Sequence, residues 1–350
     1  MESSTAVNEH IDIVLPWVDP TDKKWQDDKI RYSNKPITTD PSDEKYYRDW
    51  DTLKYLFRSI DINMPWVNTI HFLTYGHVPD WLNLDNQRLK IHNHENFFKS
   101  DHAFPVFSSD AIEMNLSSIP GLSEKFIYFN DDELVVKPIL PSRFFEGNKP
   151  VDALVQDIPR GGWLYRLLRT KDVYPDICKN CIRPLNKIVS KHDLIKTSRT
   201  YFFDSSYTFM ERIKNHVFNL TPYYLWIRPN HAPQPLLKSN ILKCEMLFGN
   251  LITETGNSRF RNKNDICHYL FRNYNLVTGQ FHPKNHHDTH CIVLSSYSES
   301  IPEIEKIEGH TFVCINDSEF LSHEEYLKIK PRLDTKLCSL FPEKSSFEKY

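Results

Sequence analysis

The chain has 350 residues, of which 40% are hydrophobic, 13% aromatic and 25% charged. These proportions are typical of a folded globular protein, and a chain of this length can bury one large core or two modest ones without disulfides or metals. The net charge of −3 provides no general polyanion-binding surface, so the composition implies no nucleic-acid partner.

The amino terminus and the cysteines favour a cytoplasmic protein. The opening residues, MESSTAVNEH, lack the basic and apolar regions of a signal peptide, and no run of about eighteen apolar residues occurs anywhere. The seven cysteines are scattered and odd in number, which suits a reducing compartment. No G-x-G-x-x-G or P-loop is present, so any phosphate site must be built without a glycine loop.

The first third of the chain predicts strands alternating with helices. Residues 11–18 form an apolar run that predicts the first strand, and Asp19 and Asp22 follow it. Residues 21–48 are polar without clear period, which predicts a surface excursion able to fold over a ligand. Residues 51–63 carry apolar side chains at helical spacing, so we expect an amphipathic helix there.

A fourth strand ends in an amide and two acids. Residues 69–74 and 88–92 predict the second and third strands, and a helix begins near Ser109. Residues 126–129, FIYF, are apolar at every position, as in a strand covered on both faces. Asn130, Asp131 and Asp132 come next. The predicted fold class is α/β, a mostly parallel central sheet with covering helices (Rossmann-like or GT-A-like) and a helical insertion in the middle of the chain.

Three parts of the chain are expected. Residues 1–145 form the first part of the catalytic α/β domain, residues 146–228 a helical insertion or lid, and residues 229–350 the second catalytic part with a helical tail. Helices are predicted at 207–219, 239–248 and 265–275. A short strand at 311–315 again ends in an amide and an acid, Asn316 and Asp317, which suggests that the two strand ends meet.

The acids that follow predicted strands could hold a divalent cation. Ligands bind beyond the carboxyl ends of strands in open α/β sheets, and carboxylates are ligands for Mg²⁺ or Mn²⁺. The alternative is an Asn-Asp turn with solvated acids. The acids are Asp19, Asp22, Asp131, Asp132 and Asp317.

Other residues suit proton transfer or anion binding. His231 lies in a proline-flanked loop and could act as a general base toward a hydroxyl, or it could be a hydrogen-bonded structural histidine. Arg259 and Arg261 could pair with phosphate oxygens or be a solvated helix entry. Arg58 lies on the predicted helix at 51–63 and is either solvated or turned toward an anion.

Two further clusters have no assigned role. Cys178 and Cys181 form a lone C-x-x-C, which we interpret as two reduced loop cysteines instead of a zinc or redox site. A histidine-rich stretch at 282–290 could bind zinc or nickel, but we favour a solvated surface.

Four separated segments resemble the Stealth family. They are IDIVLPWVDPTD (residues 11–22), most of residues 48–145 including IPGLSEKFIYFNDDELV, the pair of segments 231–233 and 259–265, and FVCINDS at 312–318. This family contains bacterial capsular polysaccharide phosphotransferases and the catalytic subunit of the animal N-acetylglucosamine-1-phosphotransferase. Residues 146–228 and the tail beyond about residue 318 are not covered by the resemblance.

The resemblance implies transfer of a sugar 1-phosphate, typically N-acetylhexosamine 1-phosphate, from a UDP-sugar to a sugar hydroxyl with release of UMP. The compact, anchorless chain is similar to the bacterial capsule enzymes, so the expected acceptor is a growing capsular polysaccharide. The enzyme would be cytoplasmic, with peripheral association to a membrane capsule assembly complex at the inner face of the bacterial membrane. The donor hexosamine, the acceptor hydroxyl, processivity and oligomeric state are left open.

We assign roles to the matched residues on this basis. The metal ligands are expected to be Asp131, Asp132 and Asp317, with Mg²⁺ or Mn²⁺ as the cofactor. Catalytic roles fall to His231 as the base, to Asp132, and to Arg58 and Arg261 at the diphosphate. The residues expected to line the donor site are Trp17, Asp19, Asp22, Asn130 and Asn316.

The first segment departs from the family pattern at three residues. Leu15, Pro16 and Pro20 differ from residues common in the family, so the turn on the nucleotide side could differ in shape.

Two alternative functions are left open. One alternative is a conventional UDP-sugar glycosyltransferase, which would release UDP. The other is a non-catalytic glycan-binding module of a capsule assembly complex, which would tolerate loss of Asp132 or His231.

Overall fold

A computed structural model describes residues 10–33, 48–160, 173–318 and 320–349. Within these ranges, no helix is both long and apolar enough to cross a membrane.

A five-stranded sheet forms the centre of the fold. Its strands lie in the order β3–β2–β1–β4–β8, and all pairs are parallel except β4 with β8. The predicted α/β class with a mostly parallel central sheet is therefore confirmed. The strands are β1 (Ile11–Pro16), β2 (Ile70–Thr74), β3 (Leu89–Asn93), β4 (Lys125–Tyr128) and β8 (Gln234–Leu237).

A second, three-stranded sheet adjoins the first. Its order is β10–β11–β5, with β10 and β11 parallel and β5 antiparallel to β11. The strand predicted near residue 311 therefore belongs to this sheet and not to the central one. The remaining strands are β5 (Glu133–Val135), β6 (Phe145–Glu146), β7 (Lys149–Asp152), β9 (His282–Pro283), β10 (Thr289–Leu294) and β11 (Phe312–Asp317).

Helices cover the sheets, and one of them lies where none was predicted. Residues 21–48 were expected to be irregular, but α1 forms because Asp22 accepts a hydrogen bond from the Trp25 N–H and Trp25 is buried. The helices are α1 (Lys23–Ser33), α2 (Thr52–Asn63), α3 (Ser109–Glu113), α4 (Tyr174–Ile182), α5 (Lys191–Thr197), α6 (Thr200–Phe203), α7 (Phe209–Phe218), α8 (Lys238–Gly256), α9 (Tyr269–Val277), α10 (Tyr297–Ile304) and α11 (His323–Leu340).

The central strands are buried on both faces, and their two faces belong to different apolar cores. Ile13 and Ile127 pack into one core with α2, whereas Val14 and Phe126 pack into the other with α8 and α9. Because successive side chains of a strand point to opposite faces, an uninterrupted apolar run serves both cores. Residues beyond the carboxyl ends of these strands are therefore held by a rigid support.

The middle of the chain contains mainly helices in its described part. After β7, the segment includes α4 to α7. The division at residues 146 and 228, and the role of this segment as a lid, remain predictions.

Candidate active site

The turn Asn130–Asp132 joins the two sheets. It follows β4 of the central sheet and leads directly into β5 of the second sheet. Glu133 is buried and holds the turn, because its carboxylate accepts from the Asn130 backbone N–H at 3.0 Å and from the Asn130 side-chain amide at 3.3 Å. The Ile315 N–H donates to the Asp132 carbonyl at 2.8 Å, so the turn is also fixed to β11. The expected meeting of the two strand ends is therefore observed.

Side chains from three distant segments meet Asp132. The Cys314 thiol lies 3.3 Å from Asp132 Oδ2 and 3.6 Å from His231 Nε2. Asn316 Nδ2 lies 3.2 Å from His231 Nδ1 and 3.0 Å from the Cys291 sulfur. We call Asp132, His231, Cys291, Cys314 and Asn316 the junction cluster. Three of these five, Asp132, His231 and Asn316, were predicted from the sequence.

The alternation of β11 decides which of its side chains join the junction cluster. Cys314 and Asn316 are two positions apart and therefore point to one face, whereas Asp317 points to the other. On that other face, Asp317 Oδ1 accepts from Arg48 at 2.8 Å and Oδ2 accepts from the Trp50 indole at 3.2 Å. The structure therefore does not support Asp317 as a metal ligand, because both its oxygens already bind other side chains.

Three consecutive acids concentrate negative charge at the junction. Burial together with the neighbouring carboxylates of Asp132 and Asp49 raises the pKa of Asp131 to about 7. Burial also raises the pKa of Asp132, and burial with the Asp132 charge raises the pKa of Glu133 to about 8. Within the described residues, Asp132 Oδ1 is buried and has no hydrogen-bond partner. Carboxylates whose ionisation is unfavourable fit a divalent cation, since cation binding would stabilise their ionised form.

The pKa values of His231 and Cys291 are shifted in opposite directions. The hydrogen bond with Cys291, followed by the charges of Asp132 and Glu133, raises the pKa of His231 to about 9. Hydrogen bonds from Cys314, His231 and Asn316 lower the pKa of the Cys291 thiol to about 4. At neutral pH the pair is therefore an imidazolium beside a thiolate.

The loop that carries His231 is held by its neighbours. The Gln234 side-chain amide donates to the carbonyls of Asn230 and Ala232, and the Tyr269 hydroxyl donates to the Asn230 carbonyl at 3.0 Å. Asn230 also lines a small pocket rich in cationic side chains. That pocket is further lined by Arg143, Arg228, Arg272, Lys284 and His286.

The residues predicted for the nucleotide end lie at the same sheet edge as the junction. β1 and β4 are parallel neighbours, so Trp17, which follows β1, and Asn130, which follows β4, lie at one edge. Trp17 stacks on Phe72 with ring centroids 5.5 Å apart. The Asp19 N–H donates to His77 Nε2 at 2.7 Å, and Asp19 Oδ1 accepts from Thr21, while Asp22 accepts from the first turn of α1. Asp19 and Asp22 therefore shape this loop.

The Arg58 guanidinium is engaged by the carboxyl-terminal segment of the chain. Its Nε and Nη2 donate to the Glu348 carboxylate at 2.7 and 2.8 Å, and its Nη1 donates to the Phe341 carbonyl at 2.8 Å. All three nitrogens thus anchor the carboxyl-terminal segment on α2. These contacts connect residues at the two ends of the chain and give Arg58 a structural role, whereas its assignment to the diphosphate stays a prediction.

Arg261 lies at the start of α3. Its Nε is 3.0 Å from Asp110 Oδ2, and its side chain is 45% exposed. The preceding residue, Phe260, stacks on Phe107 with centroids 5.1 Å apart, and Phe107 in turn stacks on Tyr75. Arg261 therefore adjoins an aromatic surface near the end of β2 and contacts Ser109 and Asp110 of α3.

The two clusters without assigned roles have structural contacts. Cys178 and Cys181 lie in α4 and are buried, so the expectation of loop cysteines was wrong, although both are free thiols. In the stretch at 282–290, Asp288 pairs with Arg143 at 2.7 Å and His290 pairs with Glu303 at 2.9 Å. These partners hold the stretch against the fold.

Sequence reasoning missed several residues of the site. Cys291 and Cys314 were counted only as scattered cysteines, although Cys314 lies two residues before Asn316 on a predicted strand. That spacing signals a shared face. Glu133 was missed because only the two aspartates before it were considered as site residues. Asp49, whose charge raises the pKa of Asp131, lies between the predicted excursion at 21–48 and the predicted helix at 51–63 and received no assignment.

Two segments of the chain match models of a known protein family. Residues 9–36 match the family model "Stealth protein CR1, conserved region 1", and residues 46–152 match "Stealth protein CR2, conserved region 2". Among solved structures, the galactosyltransferase LgtC in complex with donor and acceptor sugar analogues aligns with a TM-score of 0.38 and 11% identity, over 94% of this chain and 95% of that one.

Curated relatives align along nearly the whole chain. The capsular polysaccharide phosphotransferase WcwK of Streptococcus pneumoniae is 33% identical, over 97% of this chain and 98% of that protein. The exopolysaccharide phosphotransferase cps2G of Lactiplantibacillus plantarum is 32% identical, over 97% and 96%. The receptor polysaccharide phosphotransferase WefC of Streptococcus oralis is 29% identical, over 97% and 99%. On this similarity, the chain belongs to the Stealth family and is an enzyme of the phosphotransferase class.

Proposed function

We propose that this enzyme transfers a sugar 1-phosphate, in the first instance N-acetylhexosamine 1-phosphate, from a UDP-sugar to a hydroxyl of a growing capsular polysaccharide. The products are a phosphodiester and UMP. The observation that carries the proposal is the approach of His231 to the buried acids through Cys314, at the edge where the central sheet also presents Trp17. A base, a cation site and a nucleotide-side surface are the parts that this reaction needs.

Asp131 and Asp132 are our proposed ligands for Mg²⁺ or Mn²⁺. They are the two consecutive acids at the junction, and the unpartnered, buried Asp132 Oδ1 supplies an oxygen for the ion. A bound divalent cation would neutralise charge on the diphosphate and on the leaving UMP. Asp49 and Glu133 extend the negative charge around this position.

His231 is proposed to take the proton of the acceptor hydroxyl. The acceptor oxygen attacks the β-phosphorus of the donor, the bond between that phosphorus and the bridging oxygen breaks, and UMP leaves with the electron pair. The hydroxyl proton passes to His231. Asn316 holds the ring, because its side-chain amide lies 3.2 Å from Nδ1.

Because its pKa is raised, His231 can act as a base at neutral pH only when the nearby negative charge is neutralised. Its thiolate partner Cys291, Asp132 and Glu133 keep the imidazole protonated at neutral pH, and a protonated ring accepts no further proton. Neutralising Asp132 by cation binding removes part of the cause, so the pKa of His231 would fall toward its ordinary value. Cation binding and base function are therefore linked in this proposal.

The donor is proposed to lie along the edge of the central sheet. Trp17 and the loop of Asp19 and Asp22 would line the nucleotide, and Asn130 would lie beside the diphosphate. Arg261 stays our candidate for pairing with phosphate oxygens, because it is partly exposed and adjoins the aromatic surface of Phe107 and Phe260. We further propose a cytoplasmic enzyme that meets its polysaccharide acceptor at a membrane assembly complex.

The nucleotide product tests the proposal directly. Purified enzyme is incubated with Mg²⁺, short capsular oligosaccharides and a panel of UDP-sugars, and the products are analysed by phosphorus NMR and nucleotide chromatography. We expect a phosphodiester resonance and UMP in equal amounts. Release of UDP would instead establish a conventional glycosyltransferase. Oligosaccharide binding without any nucleotide product, together with intact capsule synthesis in cells carrying Asp132→Asn, would establish a glycan-binding module.

A further inference from the structure

Two cysteines and a histidine lie close enough together to hold one metal ion that prefers sulfur and nitrogen ligands. Cys291 and Cys314 are direct partners in the parallel pair of β10 and β11, so their side chains lie next to each other on one face. The ligand atoms of Cys291, Cys314 and His231 all lie within 4.8 Å of one another. We propose that these three residues form a binding site for Zn²⁺, with the fourth coordination position open to water or a solute.

The distances match the geometry of a tetrahedral zinc site. Zinc bonds of about 2.3 Å to sulfur and about 2.0 Å to imidazole nitrogen, at a tetrahedral angle, place sulfur and nitrogen about 3.6 Å apart. Cys314 Sγ and His231 Nε2 are 3.6 Å apart. Asp132 Oδ2 accepts a hydrogen bond from Cys314 Sγ at 3.3 Å, so this carboxylate adjoins the three proposed ligands.

The chemistry of the ligands favours zinc over magnesium. Two sulfur ligands and one imidazole suit Zn²⁺, whereas Mg²⁺ prefers oxygen ligands only. The zinc site is reachable from solvent, since Cys291 and His231 are exposed whereas Cys314 is buried.

The supports of the site are rigid. Cys291 and Cys314 are fixed by a register that runs over the whole length of β10 and β11, and the loop of His231 is held by Gln234 and Tyr269. Ligands that are already positioned lose little conformational freedom when the ion binds. The arrangement therefore favours one ion per chain at this site.

Zinc binding would compete with the transfer reaction. It would take the lone pair of His231 Nε2, which is the group that the proposed function assigns to the base. We infer that Zn²⁺ is a reversible inhibitor. This second step rests on the proposed function, whereas zinc binding itself does not.

Binding is tested with the full-length, metal-free chain under reducing conditions. Zn²⁺ is titrated calorimetrically, and Co²⁺ is titrated as an optical probe because thiolate ligation to Co²⁺ produces intense charge-transfer absorption. We expect one ion per chain and this absorption in the wild type. In Cys291→Ser the affinity should fall at least about tenfold and the absorption should weaken. Cys338→Ser is the matched control, since Cys338 is another exposed free cysteine, and it should bind as the wild type does.

Equal zinc affinity in the wild type and in Cys291→Ser would overturn the site. Because Cys291 is exposed, its replacement should not unfold the chain, and a thermal melt checks this. Inhibition is read separately as the ratio of activities with and without Zn²⁺ within each variant. Wild-type binding without inhibition would leave the zinc site in place and count against His231 as the base. Absence of phosphotransferase activity in all variants would overturn the proposed function while the binding data still decide the site.

Discussion

Cys314 and Asp132 are 182 positions apart in the chain, yet the Cys314 thiol donates a hydrogen bond to Asp132 Oδ2 over 3.3 Å. The same sulfur lies 3.6 Å from His231 Nε2. A residue that sequence reasoning left without a role therefore connects the acid and the histidine that it singled out. The pairing of β5 with β11 produces this contact, because it brings the turn after β4 alongside the end of β11.

Replacing Asp132 by asparagine should separate stability from activity. Burial raises the pKa of Asp132, so the ionised carboxylate destabilises the folded state without a cation, and the neutral amide should raise the unfolding temperature of the metal-free protein. Mn²⁺ at a hundredfold excess over its Kd should stabilise the wild type by about 2.7 kcal/mol and the variant much less. Thermal denaturation with and without Mn²⁺ measures both effects, and transferase activity should fall by at least about a hundredfold.

The control for this change is Asp85→Asn, an exposed turn residue, which should leave both the unfolding temperature and the Mn²⁺ response unaltered. If Asp132→Asn keeps the full Mn²⁺ stabilisation, Asp132 is not a ligand of that ion.

The pH dependence of the reaction should change with metal concentration. A base works in its deprotonated form, so kcat/KM should rise with pH through the pKa of His231, which the hydrogen bond with Cys291 and the charge of Asp132 raise to about 9. Raising Mg²⁺ should move this rise to lower pH, because it neutralises Asp132. Rates measured from pH 6 to pH 10, at subsaturating and saturating Mg²⁺, check the shift.

His231→Asn should remove the pH-dependent rise and lower kcat by roughly 10² to 10⁴-fold. A profile whose midpoint is the same at all Mg²⁺ concentrations would contradict the proposed coupling, and an unaltered profile in His231→Asn would contradict the base role.

Arg58→Met should destabilise the fold with little direct effect on chemistry. Arg58 and Glu348 form an ion pair with side chains only 10% and 5% exposed, and removing one partner leaves a buried, unpaired charge. We expect a loss of roughly 3 to 5 kcal/mol in the free energy of unfolding, measured in urea. The double variant Arg58→Met/Glu348→Leu should recover part of this loss, because it removes the orphaned carboxylate.

Lys54→Met on the same helix is the comparison, since Lys54 is only partly buried, and it should change the free energy of unfolding by less than about 1 kcal/mol. An Arg58→Met protein that is as stable as the wild type but lacks activity would support the diphosphate role of Arg58.

Two buried histidines should make stability fall as the pH is lowered below 6.5. Burial lowers the pKa of both His92 and His94 from 6.5 to about 4, so between these values the unfolded state binds more protons than the folded state. Stability therefore rises with pH across this window and is lost as the pH decreases. Each histidine contributes at most about 3 kcal/mol to this change.

His94→Phe tests one half of this effect, because the ring packs among Tyr75, Phe97 and Phe98 and its Nε2 has no hydrogen-bond partner among the described residues. Urea midpoints between pH 4 and pH 7 should fall less steeply in this variant than in the wild type. His192→Asn, at an exposed position, should keep the wild-type slope. An unchanged slope in His94→Phe would assign the pH dependence to other groups.

The residue pattern was sufficient to predict four of the five strands of the central sheet and the helix α2. The apolar runs of β1 and β4 predict strands buried on both faces, and the helical spacing on α2 predicts a helix against one of those faces, because burial of apolar side chains depends mainly on local periodicity. The acids after β4 were also found in this way. The polar helix α1 escaped prediction, since its single buried side chain, Trp25, leaves almost no apolar period.

Sequence alone thus determined the α/β class, the family and the acids at the end of β4, because these depend on residues that are neighbours along the chain. Tertiary structure alone decided that the chain leaves the central sheet at Asn130 and pairs β5 with β11. This pairing places Cys314 and Asn316 on the face of Asp132 and His231 and turns Asp317 toward Arg48. It also engages Arg58 with Glu348 from the other end of the chain. Such contacts depend on which distant strands and segments pair in space, and local periodicity contains no information on that choice.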